Sequence, residues 1–236
     1  AGETRVQVAC VGPAAENGVT FAGIFTNLVR PAARTGMGTV MASKNLKAVV
    51  VRGTREVRIA DPDRFWRLLK DLDRDIVNHH EYRVRSLLGT TKLLHALNEA
   101  GCLATRHFQT GRFAAAEAVS GERLAEVYKE KSKACFACII PCSRFFRVDS
   151  GPYQGLRSEG PEFEGLAGFS SRVGIDDLAA ALKGVDICNR FGMDVITASE
   201  VVSFAMECYE EGILSKEEMD GLELSWGNQE AVFALL

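Results

Sequence analysis

The sequence predicts a mainly α-helical protein that begins with a small strand-containing N-terminal segment. Two short apolar runs, residues 6–11 and 46–51, end at Gly12 and near Gly53 and are typical of buried strands. After Gly53 the pattern changes, and helix-capping residues followed by apolar positions at helical spacing recur to the end of the chain. We therefore expect a boundary near residues 54–60 and a mostly helical body after it.

Composition excludes several classes of protein. The chain has 236 residues, of which 47% are hydrophobic and 25% charged, as in ordinary globular proteins. A net charge of −3 and the lack of Lys/Arg runs give no indication of nucleic-acid binding. No apolar stretch reaches 18 residues, so no membrane span is predicted, and the first residues do not resemble a signal peptide. Seven scattered cysteines then favour a reducing cytoplasm.

Three helices are predicted in the first half of the body. Asp61 followed by Pro62 is a typical helix start, and the next apolar residues recur on one helical face. A second helix is expected over residues 91–100, ending at Gly101. A third is expected over residues 120–130. Together they lead into a cysteine-containing segment.

Further helices are predicted in the second half. Asp176 is expected to cap a helix that ends at Gly192, with Leu178, Leu182 and Val185 facing inward. Residues 197–200 and 215–218 both match a capping box. Residues 233–236 are predicted to lie part-way through an apolar helix. Since the chain also lacks an initiating Met, we expect a fragment of a longer protein.

Three cysteines with the spacing C-x2-C-x3-C carry the strongest chemical signal. Cys135, Cys138 and Cys142 bring three thiolates together, and thiolates select iron–sulfur clusters, zinc or copper(I). An odd number this close together cannot pair as disulfides, and zinc would need a second Cys or His pair nearby. An iron–sulfur cluster whose fourth ligand lies far away is therefore favoured. The alternative is a buried, cysteine-rich helical segment without a metal.

Two other segments are candidates for chemistry, each with an ordinary structural alternative. Residues 30–45 are rich in Gly and Ala and contain Arg and Lys, which suits a phosphate site, although a tight turn between strands explains them too. Glu162 and Glu164 follow a Gly-Pro pair and could act as acid or base near a metal. The alternative is a helix N-terminus, where the helix dipole favours glutamate.

Residues 189–194 join two predicted helices. They are explained either as a Gly-ended helix followed by an Asp cap or as a ligand-binding turn between helices. The four histidines show no metal-binding spacing.

Taken together and in order, these segments resemble the tungsten- or molybdenum-pterin aldehyde:ferredoxin oxidoreductase family. The resemblance covers nearly the whole chain, and its motifs are residues 12–17, 33–48, 98–101, 105–109, the three cysteines, 160–164 and 188–194.

The resemblance implies a [4Fe–4S] cluster on Cys135, Cys138 and Cys142, with its fourth cysteine beyond Leu236. It also implies two domains. Residues 1–56 would be the end of an α+β pterin-binding domain. Residues 57–236 would be a truncated α-helical domain that binds the cluster and cofactor.

The resemblance further implies how the pterins are held. The metal would be bound by the dithiolenes of two pterins and not by a protein side chain. Arg30 and the backbone around Pro31 would contact the pterin phosphates and their bridging Mg²⁺. Asn189, Gly192 and Asp194 match the family's D-x-x-G-L-[CD] pterin motif, with Asn in place of the first Asp.

Glu164 matches a carboxylate that the family places near the metal, where it would activate water or accept a proton. Phe163 replaces a tyrosine found in some members, which indicates that the substrate could differ. The implied function is oxidation of an aldehyde to a carboxylic acid, with electrons passing to ferredoxin. Alternatives are a tungsten-dependent aromatic acyl-CoA reductase subunit and a non-catalytic iron–sulfur or zinc module. A homo-oligomer or partner redox subunits are expected, and the isolated fragment is expected to be inactive.

Overall fold

The N-terminal part forms a four-stranded antiparallel sheet. We analysed a computed structural model, which describes residues 6–236. The strands are β1 (Gln7–Val11), β2 (Ile24–Thr26), β3 (Arg30–Ala32) and β4 (Ala48–Val51), in the spatial order β3-β2-β1-β4. Both sequence-predicted strands are present, and they pair with each other as β1 and β4. Two short helices, α1 (Pro13–Glu16) and α2 (Met37–Ser43), lie between the strands in sequence.

The rest of the described chain is mostly helical, which confirms the predicted fold class. Its elements are α3 (Pro62–Asn78), α4 (Glu81–Leu88), a 3-10 turn (Gly89–Lys92), α5 (Leu93–Glu99), α6 (Gly121–Val127), α7 (Phe163–Gly168), α8 (Leu178–Phe191), α9 (Val195–Glu210) and α10 (Gln229–Leu235). A second antiparallel sheet has the order β5 (Lys129–Lys133), β6 (Ser143–Arg147) and β7 (Arg157–Glu159). No helix within residues 6–236 has the length and hydropathy needed to cross a bilayer.

The second sheet corrects the sequence prediction. The helix expected over residues 120–130 ends at Val127, because the chain enters β5 at Lys129. The β5 sequence Lys-Glu-Lys-Ser-Lys carries no apolar alternation, so its strand conformation comes from pairing with β6. The helix expected over 91–100 begins with the 3-10 turn and continues as α5, and Gly101 follows it with positive φ.

The predicted helix caps are partly correct. Asp61 accepts a hydrogen bond from Arg64 N at 2.9 Å and caps α3. Asp177, not Asp176, caps α8, since its carboxylate accepts from Ala179 N at 2.8 Å. The capping box predicted at residues 197–200 is wrong because α9 is capped three residues earlier, by Asp194.

The second predicted capping box has its hydrogen bonds, but residues 216–221 form turns and not the expected helix. Ser215 N donates to the Glu218 carboxylate at 2.9 Å, and Glu218 N donates back to Ser215 Oγ at 3.2 Å. The apolar face of α3 is solvent-exposed, however, as Phe65, Trp66 and Leu72 show. The amphipathic spacing therefore predicted the helix correctly, but it did not predict that its apolar face would be exposed in the described chain.

The core lies around α7, α8 and α9. Leu178, Leu182 and Val185 are buried along α8, as predicted. Gly184 faces the Phe169 ring so closely that an added Cβ would lie 2.7 Å from its Cδ1. This close contact brings α7 and α8 together, and α7 also packs against α9. The candidate carboxylate Glu164 is thereby carried on a firmly packed helix.

Candidate metal and cofactor site

The three cysteines lie in the connection between β5 and β6, which we call the cysteine loop (residues 134–142). It folds as tight turns: Cys138 N donates to Cys135 O at 3.1 Å, and Cys142 N donates to Ile140 O at 2.9 Å. Ala137 adopts positive φ between them. Because the segment is an exposed loop, the alternative of a buried cysteine-rich helix is wrong.

The thiols of the cysteine loop differ in their surroundings. Cys135 and Cys138 are exposed, whereas Cys142 is half-buried. Burial raises the pKa of Cys142, and Glu162 and Cys135 raise it further, while the Arg30 guanidinium acts in the opposite direction. Within residues 6–236, no three His, Cys, Asp or Glu side chains are arranged to hold a single metal ion. The polypeptide therefore supplies the thiols without bringing them around one ion.

A buried arginine holds the base of the cysteine loop. Arg144 Nη2 donates to Cys142 O at 2.9 Å and to Leu88 O at 2.7 Å, and Nη1 donates to Thr91 Oγ1 at 3.1 Å. The pKa of Arg144 is lowered by burial, which disfavours its charge, although Glu162 opposes this effect. Its Nε lies buried without a hydrogen-bond partner among the described residues. Sequence reasoning missed this residue because nothing in its spacing distinguishes it.

Arg30, on β3, lies beside the cysteine loop. Its Nη2 donates to Glu159 Oε1 at 2.8 Å, and its Nη1 lies 3.6 Å from Glu162 Oε1. Burial would lower the pKa of Arg30, but Glu159, Cys135 and Glu162 outweigh it and raise the pKa. The Arg30 guanidinium thus stays positively charged between the cysteine loop and the 160–164 turn.

Two cavities flank the β2–β3 hairpin. The smaller, of 530 Å³, is lined by Ile24, Thr26, Val29, Arg30, Pro31, Ala32 and Glu162. The larger, of 1040 Å³, lies between the two sheets and the end of α8, and includes Asn189 and Gly192 in its wall. It also carries several basic side chains, namely Lys47, Lys131, Lys133, Arg157 and Arg190. Of the predicted cofactor residues, Arg30 and Pro31 line the smaller cavity and Asn189 and Gly192 the larger.

The end of α8 and the turn into α9, which we call the helix junction (residues 189–194), are held by residues that flank β1 and β2. Gly192 ends α8 with φ +82°, and an added Cβ would lie 2.9 Å from the Gly12 backbone. Gly23 N donates to Gly192 O at 2.9 Å, and Asp194 N donates to Phe21 O at 2.9 Å. The junction thus joins the sheet segment to the helical body.

Asp194 lines neither cavity. Its buried carboxylate accepts from Thr197 N at 3.1 Å and from Thr197 Oγ1 at 2.5 Å. Arg34 Nη1 lies 3.8 Å away. This arrangement makes Asp194 the N-cap of α9, as one of the two sequence interpretations expected.

Glu164 lies in the first turn of α7 with its side chain about half exposed. Arg172 Nη2 lies 3.9 Å from its carboxylate, and Arg172 Nη1 lies 2.9 Å from Glu200 Oε1. That second contact is a close ion pair without hydrogen-bond geometry. The Arg172 guanidinium also stacks over the Phe108 ring at 5.4 Å. Arg172 is buried and was missed from the sequence, because its partners are distant along the chain.

The structure brings most of the predicted site residues into one region. The cysteine loop, Arg30 with Pro31, and the 160–164 turn meet through Glu159 and Glu162. The helix junction borders the larger cavity beside them, and α7 with Glu164 packs against α9. Cationic side chains and carboxylates thus line two adjoining cavities, and the thiols of the cysteine loop lie near Arg30 in the wall of one of them. This combination suits redox cofactors that carry phosphate and sulfur.

Comparison with known proteins identifies the family to which the chain is similar. The family model "Aldehyde ferredoxin oxidoreductase, N-terminal domain" matches residues 1–53, and "Aldehyde ferredoxin oxidoreductase, domains 2 & 3" matches residues 67–236. Among curated relatives, the tungsten-containing aldehyde ferredoxin oxidoreductase of Pyrococcus horikoshii is 40% identical over 224 residues, covering 93% of this chain and 36% of the relative. The Pyrococcus furiosus enzyme of the same name is 36% identical over 239 residues, covering 98% and 38%.

Two further relatives differ in name. A WOR-like subunit of an aliphatic sulfonate oxidoreductase from Pyrococcus furiosus is 30% identical over 234 residues, covering 96% of this chain and 36% of the relative. Among solved structures, the active-site complex BamBC of benzoyl coenzyme A reductase with 1,5-dienoyl-CoA aligns with a TM-score of 0.75 and 25% identity. It covers 98% of this chain and 36% of the solved chain.

These matches define the class of protein first, which is an oxidoreductase. More particularly, the chain belongs to the aldehyde ferredoxin oxidoreductase family, which confirms the resemblance drawn from its motifs. It spans a little over a third of the length of the curated relatives.

Proposed function

We propose that the whole protein oxidises an aldehyde to a carboxylic acid at a tungsten or molybdenum bis-pterin centre. A [4Fe–4S] cluster would then pass the electrons to ferredoxin. One observation carries the proposal: Arg30 contacts Glu159 near the cysteine loop, while its own strand lines the 530 Å³ cavity. The proposed cluster and cofactor sites therefore adjoin each other, and a short separation favours electron transfer between them. Membership in the family supports the reaction class.

The donor set of the cysteine loop fits a cluster. A cubane cluster is held by four thiolates, one on each iron atom, so its ligands need not surround a single ion. We propose that Cys135, Cys138 and Cys142 supply three of them. Cys135 and Cys138 are exposed in the loop, which leaves room for a cluster and for a fourth cysteine, which we place outside these 236 residues.

The residues around the two cavities fit phosphorylated pterins. The Arg30 guanidinium offers donors for phosphate, and the backbone carbonyl of Pro31 offers an oxygen of the kind that Mg²⁺ accepts. Asn189 and Gly192 border the larger, basic cavity, which suits an anionic heterocycle. We propose that Asp194 contributes by holding the helix junction in place, since its carboxylate is engaged by Thr197.

Oxidation of an aldehyde consumes one water and releases two electrons and two protons. When bound, the metal–pterin group and the cluster supply the redox chemistry that amino-acid side chains cannot. We propose that Glu164 accepts a proton from the attacking water or from the substrate, as a carboxylate beside the reacting carbon can. Arg172, 3.9 Å away and buried, limits the directions in which this carboxylate can turn.

The domain and partner predictions belong to the same proposal. We propose that residues 1–56 complete a pterin-binding domain and residues 57–236 form part of a cluster- and cofactor-binding domain. Residues 52–60 lack helix or strand and are exposed, which supports a boundary there. Ferredoxin would be the electron acceptor, in the cytoplasm, with a second copy or separate redox subunits as further partners.

A second candidate is a tungsten-dependent aromatic acyl-CoA reductase subunit. The structural similarity to the benzoyl coenzyme A reductase complex favours it, as does Phe163, which carries no hydroxyl beside Glu164. The aldehyde reaction is preferred because the relatives named for it share up to 40% identity with this chain.

The test uses the full-length protein, prepared anaerobically from cells supplied with tungstate and molybdate. We expect tungsten or molybdenum together with about four iron atoms per chain, as a cubane cluster requires. Aldehydes should reduce ferredoxin, whereas aromatic acyl-CoA thioesters should be inert. Glu164→Gln should lower kcat by roughly 10²-fold or more with metal content unchanged, since it removes a general base. Protein containing only zinc, or no metal, would refute the proposal in favour of a non-catalytic module.

A further inference from the structure

Glu159 is a buried carboxylate at the end of β7. Its side chain is only 4% exposed, and a carboxylate at such a position needs charged and hydrogen-bonded partners. It has three. Arg30 Nη2 donates to Oε1 at 2.8 Å, Ser143 Oγ donates to Oε1 at 3.0 Å, and Lys133 Nζ forms an ion pair with Oε2.

Two of these donors flank the cysteine loop. Lys133 is the last residue of β5, two positions before Cys135, and Ser143 directly follows Cys142. Lys133 and Ser143 also lie opposite each other in the β5–β6 pairing. Glu159 of β7 lies opposite Phe145 of β6, so their side chains are on the same face of the sheet. Ser143 is two residues before Phe145 and therefore lies on that face too. One carboxylate therefore binds both ends of the loop.

The third donor comes from the other sheet. Arg30 lies on β3, in the wall of the 530 Å³ cavity, and its second nitrogen approaches Glu162 at 3.6 Å. Arg30 and Lys133 thus share the buried Glu159, and Arg30 also faces Glu162, so the base of the loop is tied to the wall of this cavity.

We propose that Glu159 is a positioning residue that fixes the base of the cysteine loop and the Arg30 guanidinium in one arrangement. It would hold the loop closed around its cluster and set the spacing between the cluster and the cavity that Arg30 lines. The inference rests on the proposed function, since it presumes that the cysteine loop carries a cluster.

The test compares two glutamates of the same sheet in the anaerobic full-length protein. Glu159→Gln removes the central charge, whereas Glu130→Gln breaks the ion pairs with Arg147 and Arg157, which lie away from the loop. Iron release to a chelator and the electron paramagnetic resonance signal of the reduced cluster are measured, together with the melting temperature. Because partners of metal ligands typically change metal affinity 10–100-fold, we expect iron release from Glu159→Gln to be faster by roughly tenfold or more.

Glu130→Gln should release iron at the wild-type rate. Equal rates in the wild type and a folded Glu159→Gln variant would overturn the proposal, and so would an equal acceleration in both variants. If Glu159→Gln does not fold, Ser143→Ala and Lys133→Met are measured instead. Faster iron release from these variants supports the positioning role of Glu159, and wild-type rates in both refute it. A wild-type protein without iron would instead mean that the proposed function itself is wrong.

Discussion

The helix junction and the cysteine loop are held in opposite ways. At the junction, Gly192 and Asp194 are buried, and backbone hydrogen bonds at 2.9 Å join both to the residues just before β2. In the loop, Cys135 and Cys138 are exposed, and the Phe136 ring between them is fully exposed to solvent. Packing of the polypeptide therefore fixes the first region, whereas the proposed cluster would supply the remaining partners of the thiols in the second.

The largest effect is expected from a substitution that disturbs the packing of the helix junction. Gly192→Ala places a methyl group 2.9 Å from the Gly12 backbone and also forces alanine to φ +82°. Positive φ costs a non-glycine residue about 1 kcal/mol or more, and forced contact in a packed site adds about 1–3 kcal/mol. We expect the free energy of unfolding, measured with urea, to fall by about 3 kcal/mol.

Gly151→Ala is the matched control for that substitution. Gly151 has the same φ of +82°, but an added Cβ would meet no atom within 4 Å. It should therefore lose only about 1 kcal/mol, from backbone strain alone. Equal losses in the two variants would mean that the close approach of Gly192 to Gly12 does not stabilise the junction.

A smaller effect is expected at the cap of α9. Asp194→Ala removes the acceptor for Thr197 N and should lower the free energy of unfolding by about 1–2 kcal/mol, as other lost N-caps do. Asp194→Asn keeps an acceptor oxygen and should lose less than about 0.5 kcal/mol, because asparagine caps helices nearly as well. If both variants lose the same amount, the charge facing Arg34, and not the cap, holds the junction.

Local features of the chain were predicted well from the sequence. Asp61-Pro62 and Gly192 carry their own signals, because capping and positive φ depend on a few adjacent residues. Cap positions shifted by one or a few residues, at Asp177 and Asp194, because neighbouring polar residues compete for the same role. The three cysteines were found from spacing alone.

Contacts between distant parts of the chain were not predictable in the same way. Arg30 and Glu159 are 129 positions apart, and no pattern in a single sequence relates them. The sheet of β5, β6 and β7 was missed because charged residues fill β5 and its strand form depends on pairing with β6. Sequence motifs therefore indicated which chemical groups the candidate site contains, and the fold was needed to show which residues hold them in place.

The smallest expected effect separates the thiols within the cysteine loop. Burial, followed by the charges of Glu162 and Cys135, raises the pKa of Cys142 from its ordinary value of 9.0. A raised pKa means a smaller thiolate fraction at pH 8, and the thiolate is the form that reacts. In metal-free protein, iodoacetamide should therefore modify Cys142 more slowly than the exposed Cys135, as followed by mass spectrometry of the peptides.

The pH dependence of this modification has a definite direction. The modification rate of Cys142 should still be rising with pH above 9.0, where an ordinary cysteine is already half ionised. Glu162→Gln removes a negative charge that raises this pKa, so it should move the titration to lower pH and speed modification several-fold at pH 8. The deeply buried Cys188, whose pKa is also raised by burial, serves as an internal control that should stay unmodified. Suppose that Cys142 is modified as fast as Cys135 and that Glu162→Gln does not change its rate. The base of the loop is then as accessible to solvent as its tip. The whole cysteine loop, and not only its tip, would then differ from the helix junction in being exposed to solvent.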